Sequence, residues 1–210
     1  MENNTFFNRN VVLIGLIISI IFLIIAALSY PGGNPKNMNS IGYSFTENYI
    51  SNLLEYKAVN GATNTARPYG IIGVVILGLS SGFAFVRLSR KVELKKFSIV
   101  IKYLGIILIF LSSLITIPSL HDIMVTMSSI FTLLLVFYVT ILLIKSKLQV
   151  LKFTSIVLLV IFYAAAYMYF TKTGLDYLPL VQKIIHILQI VWILGLEYAT
   201  NKKDFDHIKS

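Results

Sequence analysis

The sequence predicts an all-α polytopic membrane protein, a single antiparallel bundle of six transmembrane helices over residues 1–210, with a long outer connection at 29–69. Three observations carry this reading. Only 13% of the 210 residues are charged, against about a quarter in soluble domains, while 57% are hydrophobic and mean hydropathy is +0.81. The apolar residues gather in six runs near the roughly 20 residues a helix needs to cross about 30 Å of hydrocarbon. Lys and Arg lie in short clusters between those runs rather than along one face of an element.

The six runs are Val11–Leu28, Gly70–Leu88, Ser98–Ile117, Ile123–Ile144, Val150–Phe170 and Pro179–Tyr198. The first has Arg9 before it and Ala26, Ala27 and Ser29 at its end, as a signal peptide would. It exceeds the usual signal core of about 7–15 residues and lacks a clear cleavage motif, so an uncleaved helix is favoured. The sixth is the least apolar, with Gln182, Lys183, His186 and Gln189 inside it. The glycines of the second run, Gly70, Gly73, Gly78 and Gly82, suit close helix packing.

Charge placement sets the expected orientation. Thirteen basic residues fall on one side: Arg9, the group from Arg87 to Lys102, then Lys145, Lys147 and Lys152, and the tail lysines Lys202, Lys203 and Lys209. Five fall on the other: Lys36, Lys57, Arg67, Lys172 and Lys183. The positive-inside rule then puts both ends in the cytoplasm of a cell-membrane protein, a placement that anionic headgroups also favour. The net charge of +9 is explained by topology, and with no zinc-finger, RNA-binding or basic-aromatic pattern a nucleic-acid partner is not expected.

The outer side therefore carries a connection of about 40 residues and two tight turns, Pro118–Asp122 and Thr171–Leu178. The long connection exceeds what topology needs and is the natural place for work other than scaffolding. Tyr30–Asn39 is rich in Pro, Gly and Asn and reads as irregular. Residues Phe45–Tyr56 have apolar positions at helix-like spacing, which suggests a short amphipathic helix with Thr46 as its cap, lying over the bundle mouth as a lid.

Polar residues within hydrocarbon are costly and mark candidate sites. Gln182, His186, Gln189, Ile193 and Glu197 share one face of the sixth helix. His186 lies seven residues from Pro179, about 10 Å down by helical rise, and is either a ligand-binding group or a packed histidine satisfied by a hydroxyl. Lys183 is close enough to the outer end to snorkel, and Glu197 is expected to reach Lys202, Lys203 or headgroups. His121 and Asp122 sit at the outer mouth, where Asp122 can cap the next helix. Glu47, Asn48 and Ser51 of the long connection complete the ligand-binding candidates. Ser112, Ser113 and Thr116 with Thr126 and Ser129 either line the same cleft or serve packing. Tyr163, Tyr167 and Trp192 are read as packing residues, and His207 has no obvious mate.

Zinc needs about three His, Cys, Asp or Glu ligands. The candidates are His121, Asp122 and His186, with Glu47 nearby, but no ligand spacing such as HExxH demands a metal. The chain has no cysteine, which removes thiolate chemistry, and nucleotide-binding and GxSxG motifs are absent.

Tyr30-Pro31-Gly32-Gly33 and Asn48-Tyr49-Ile50-Ser51-Asn52-Leu53 resemble the corresponding stretches of a bacterial and archaeal six-helix membrane family catalogued as domain of unknown function 998. That family is similar in layout to the damage-regulated autophagy modulator group. The resemblance covers most of the chain as a helix plan. It departs at Asn52 and Leu54, where the family's Ile-Ser-Asp-Leu-Gly ending has Asp and Gly, and it implies a membrane location without a defined activity. A vaguer likeness to alkaline ceramidase-like hydrolases would use His121, Asp122, His186 and a serine as zinc ligands. The paired histidines on their last helix are reduced here to His186, with Ile at position 190.

The reading that best fits these residues is a non-enzymatic membrane protein, in contact with lipid, that binds a lipid, a small hydrophobic solute or a membrane-protein partner at its outer mouth. The alternative is a zinc-dependent intramembrane hydrolase of an amide or ester lipid. A small transporter comes third, since broken helices and embedded charge pairs are lacking.

Overall fold

A computed structural model of the chain describes residues 2–206 and 208, with side chains from Asn8 onward except that of Pro118. His207 and Lys209 lie outside the described residues. The structure is all-α: α1 Glu2–Leu28, α2 Arg67–Ser89, α3 Lys95–Leu114, α4 His121–Ile144, α5 Gln149–Thr171 and α6 Leu178–Tyr198. All six are long and apolar enough to cross a membrane. Short 3₁₀ turns lie at Ile50–Leu53, Pro118–Leu120, Leu175–Tyr177 and Lys202–Asp204. Among the described residues the only extended pairing is two isolated bridges, Gly32 with Ile41 and Lys57 with Thr63.

Each helix packs against the next in sequence, and α6 returns to touch α2 and α1. Association of helices in lipid depends on close approach rather than on expulsion of water, and α2 supplies it. Ser19 Oγ donates to the Gly73 carbonyl at 2.7 Å across α1 and α2. Against α3, a Cβ on Gly82 would meet the Gly105 backbone oxygen at 2.6 Å and Ile109 at 2.4 Å, so only a glycine allows the two backbones this spacing.

Because six spans are even in number, both ends of the bundle's chain lie on one side, here termed the tail side; residues 29–66 form a cap on the other. The tail side is tightly closed. Arg87 Nε pairs with Glu197 Oε1 at 2.9 Å and Arg87 Nη1 donates to Asn8 O at 2.8 Å, joining α2 to α6 and α1. Glu197 therefore finds its partner in Arg87, on a neighbouring helix, rather than in Lys202, Lys203 or headgroups. Lys91 Nζ donates to the carbonyls of Leu196 at 3.2 Å and Glu197 at 2.6 Å, and to Thr200 Oγ1 at 3.3 Å, placing a cation on the negative end of α6. Burial pushes the Lys91 ammonium down, against the opposing pull of Glu197. Beyond α6 the chain turns back, and Phe205 and Ile208 are buried in the main core with Val92.

The cap side is looser within the membrane. From Asp122 to Leu134 no residue of α4 is buried, whereas Leu135, Val136, Val139, Thr140, Leu142 and Leu143 are. In α5, burial stops at Leu158. Thr140 and Ser155 bond to each other at 2.6 Å in the tight half. Tyr163 and Tyr167, expected to pack across the bundle, are exposed instead and face the lipid side of α5.

Gly82→Leu should overpack the α2–α3 contact at a cost of about 1–3 kcal/mol. Thermal unfolding in detergent is expected to show a lowered midpoint, with Ile72→Leu at an exposed position of the same helix as the control. Equal midpoints for the two variants would mean that close α2–α3 approach is not what holds this pair.

Candidate functional site

The candidate site has two layers, the cap and a cavity beneath it. The apolar pattern of residues 45–56 yields no amphipathic helix; only Ile50–Leu53 turns helically, and Tyr49, not Thr46, precedes it. Asparagine side chains organise the segment in place of secondary structure, because one amide carries two donors and an acceptor and can satisfy several backbone groups at once. Asn48 is fully buried: its Nδ2 donates to Gly33 O at 2.7 Å and its Oδ1 accepts from Ser44 N–H at 2.8 Å. Asn64 Nδ2 donates to Asn52 O and Glu55 O, both at 2.9 Å. Asn34 Nδ2 donates to Glu47 Oε2 at 2.8 Å, and Asn34 Oδ1 accepts from Lys36 and Asn37 N–H groups. Asn52, at the position where the resembled family has Asp, accepts from Tyr49 N–H at 2.8 Å.

The cap covers its own small core of Ala26, Tyr30, Leu53, Ala58 and Ala66, with Tyr43 against it. Tyr30 and Tyr43 meet edge to face at 5.8 Å, and burial pushes both phenols above their usual value. Neighbouring Tyr30 adds to the rise at Tyr43.

Helix α6 holds the cap down. Gln182 Oε1 accepts from Ile50 N–H at 3.0 Å. Lys183 does not snorkel: it is buried, and its Nζ donates to the Asn48 carbonyl and to Pro179 O, the latter at 3.0 Å. The rings of Tyr43 and Phe45 both lie 5.4 Å from this ammonium. Two carbonyls and two aromatic faces thus replace the water around the charge.

Below the cap, a cavity of about 150 Å³ lies among α2, α3, α4 and α6. Its polar wall is Ser81, Ser112, Ser128, Thr132, His186 and Gln189; the rest is apolar, including Val74, Leu108 and Ile193. His186 is partly buried and lines this cavity. Gln189 is its side-chain hydrogen-bond partner. Ser112 Oγ donates to Ile109 O at 2.8 Å, leaving its lone pairs free. Ser81, Ser128 and Thr132 have no hydrogen-bond partner among the described residues.

The sequence-derived candidates therefore divide. Gln182 and Asn48 belong to the cap junction, and His186 and Gln189 to the cavity. Glu47 ties down the Asn34 turn, while Ser51 sits in the 3₁₀ turn with its carbonyl accepting from Leu54 N–H. His121 is buried at the α3–α4 corner, where its Nδ1 donates to Ile115 O at 2.9 Å, and it is not part of the cavity wall. Asp122 is exposed in the first turn of α4, which has no side-chain cap. Among the described residues no group of three or more His, Cys, Asp or Glu is arranged to hold a metal. Of the hydroxyls weighed from sequence, Ser112 reaches the wall; Ser113, Thr116, Thr126 and Ser129 do not, and Ser81, Ser128 and Thr132 take their place. A serine pair at 128–129 leaves the inward residue undecided until helix rotation is known. Comparison of the chain with protein-family models, curated proteins and solved structures finds no match in any of the three.

Lys183→Met preserves much of the side chain's bulk and removes the donor to Asn48 and Pro179, a loss worth about 1–3 kcal/mol. Hydrogen exchange of residues 43–56 in lipid is expected to speed by roughly ten- to a hundredfold, with α2 and α3 unchanged. Unaltered exchange in the cap would show that Lys183 does not hold it.

A second prediction follows from the buried phenols. Because docking raises the Tyr30 and Tyr43 values, cap stability is fully present below about pH 10 and is lost as pH rises through the raised values, where the undocked cap gives up protons more readily. Phenolate absorbance should contain a late-ionising component that is reduced in Tyr43→Phe. Uniform titration of every tyrosine near pH 10 would contradict this.

Proposed function

We propose that the protein is a non-enzymatic binding protein of the cell membrane, holding a small ligand, either a solute or a group of a lipid, in the cavity beneath the cap. The observation that carries this reading is a void within the membrane lined by hydroxyls, an imidazole and an amide, three of whose groups lack a protein partner. Hydrocarbon supplies no partner either, so an occupant that hydrogen-bonds is stabilised there. The space, about 150 Å³, has room for several waters or one small organic group. The cap, latched by Gln182 and Lys183, would shield the occupant from the aqueous side. Neither His121 nor Asp122 joins His186 in the cavity wall, and among the described residues no group of three or more His, Cys, Asp or Glu is arranged to hold a metal, so no observation supports the zinc hydrolase reading.

The orientation that accompanies this proposal has the tail side in the cytoplasm. It is supported by the exposed cations Arg90, Lys95, Lys96, Lys145, Lys147, Lys202 and Lys203 on that side, which suit an anionic leaflet. Kinship with the domain of unknown function 998 family is a proposal of the same standing, resting on the helix plan and the two cap stretches.

Both parts are testable in one background, since the chain is free of cysteine. Single cysteines at positions 36 and 57 should label from outside and those at 95 and 147 should not; the reverse pattern would invert the orientation. For the cavity, Ser128→Phe lies on the loosely packed half of α4 and should fill the void without unfolding the bundle. Native mass spectrometry of protein released from membranes is expected to show a bound small molecule or lipid in the parent and in His186→Gln, which keeps a hydrogen-bonding side chain, and to lose it in Ser128→Phe. Identical spectra for parent and Ser128→Phe would remove the cavity from consideration.

A further inference from the structure

Resting on that reading of the cavity, we infer that its ligand presents an uncharged hydroxyl or carbonyl group, as an alcohol or a monoacylglycerol does, and not a charged head. The wall contains no Asp, Glu, Lys or Arg. Lys183, one turn along α6 from His186, is committed to Asn48 and Pro179; its charge is felt at His186, but its ammonium is not part of the wall. A carboxylate or phosphate entering here would meet no Lys or Arg in the wall, and an ammonium no acid, so either would be desolvated without a direct partner. What the wall does offer is neutral and two-sided. Ser81, buried and unpartnered, with Ser128 and Thr132, can each donate or accept. The Ser112 oxygen has spent its proton on Ile109 and can only accept. A ligand hydroxyl, with one donor and two lone pairs, fits this set. A purely apolar ligand would leave the same hydroxyls unsatisfied.

The native Trp192 supplies the readout. It is the only tryptophan, it is fully buried beside Phe85, and it adjoins Ile193 of the cavity wall. Full-length protein in zwitterionic nanodiscs at neutral pH would be titrated with terminally brominated six-carbon probes: the alcohol, the carboxylate, the ammonium and the alkane. A brominated monoacylglycerol tests the lipid source against the soluble one. The expected result is saturable quenching by the alcohol, with each charged probe and the alkane at least about tenfold weaker, as the loss of one or two neutral hydrogen bonds implies. The triple variant Ser81→Ala/Ser128→Ala/Thr132→Val, compared at an unchanged thermal midpoint, should bring the alcohol down to the alkane; an alcohol affinity unchanged in it would overturn the ligand class. Alkane or a charged probe binding as tightly as the alcohol would overturn the ligand class while leaving the binding site intact. Absence of saturable quenching by every probe, or quenching that persists in Ser128→Phe, would overturn the binding site itself. Displacement of the brominated alcohol by monoacylglycerol assigns the ligand to the bilayer, and failure to displace it assigns a soluble alcohol.

Discussion

A polar side chain inside hydrocarbon must find its hydrogen-bond partners within the protein, and α6 carries five long or ring-bearing ones, Gln182, Lys183, His186, Gln189 and Glu197. They are answered in different ways, although Trp192 Nε1 and Glu197 Oε2 on the same helix find no hydrogen-bond partner among the described residues. Gln182 accepts from the cap backbone, Lys183 is held by the Asn48 and Pro179 carbonyls, His186 and Gln189 pair beside the cavity, and Glu197 meets Arg87. The four- and three-residue steps between these positions fix one rotation of α6. Turning the helix by a single residue, about 100°, would strip Gln182, Lys183 and Glu197 of their partners on other elements and carry His186 and Gln189 away from the cavity. The seating of the cap, the chemistry of the cavity and the closure of the tail side therefore depend on one helical register.

The two ends of the bundle meet this constraint by unlike means. On the tail side, charge does the joining: Arg87 bridges Glu197 and the α1 backbone, Lys91 covers the end of α6, and Phe205 and Ile208 fill the gap behind them. On the cap side there is no ion pair to α6 among the described residues, and a single buried cation is solvated by carbonyls and aromatic rings. A buried charge treated in this way is satisfied only while the cap is seated, since lifting the cap removes the Asn48 carbonyl and both ring faces at once. The asparagines extend the same economy through the cap. With one apolar cluster of five small or medium residues and no regular ladder, the segment owes its shape to amide side chains that stand in for helix and sheet bonds.

The six spans were legible because composition and run length act over about 20 residues and need no tertiary information. Gln182, His186 and Gln189 could be placed on one face for the same reason. Other features depended on groups far apart in sequence. The apolar spacing of Phe45–Tyr56 looks helical, but only Leu53 of these residues joins the Tyr30 and Ala66 cluster while Phe45 and Tyr56 stay exposed, and Asn48 withdraws its neighbours from a helix by bonding Gly33 and Ser44. Lys183 stands near enough to the span's end to snorkel, yet the Asn48 carbonyl, 135 residues earlier, meets it within the protein. The choice of Ser128 over Ser129 turns on the rotation of α4, whose polar residues, Asp122, Thr126 and Ser129 as well as His121, Ser128 and Thr132, point to more than one face. Asp122 has the composition of a cap, but the preceding 3₁₀ turn starts the helix one residue before it.

On the binding reading proposed above, the looseness of α4 bears on how the cavity would be reached. Raising the cap would cost the Gln182 and Lys183 bonds and expose a cation already withdrawn from water, a sum of several kcal/mol by the usual cost of orphaned buried groups. Displacing the half of α4 between Asp122 and Leu134 gives up the partial packing of Met124 and Phe131 against the core but no fully buried side chain. That stretch contains no buried residue, and Ser128 and Thr132 make no bond to a neighbouring helix. Apolar packing given up there is replaced by lipid chains, which are as apolar as the side chains they touch. The energetically cheaper route between cavity and surroundings therefore passes beside α4 from the bilayer, with the cap acting as a fixed roof. Such a route favours ligands that already partition into the membrane, and it is compatible with a wall whose polarity comes from hydroxyls and an amide rather than from charge, because an uncharged hydroxyl can cross the apolar flank that would stop an ion.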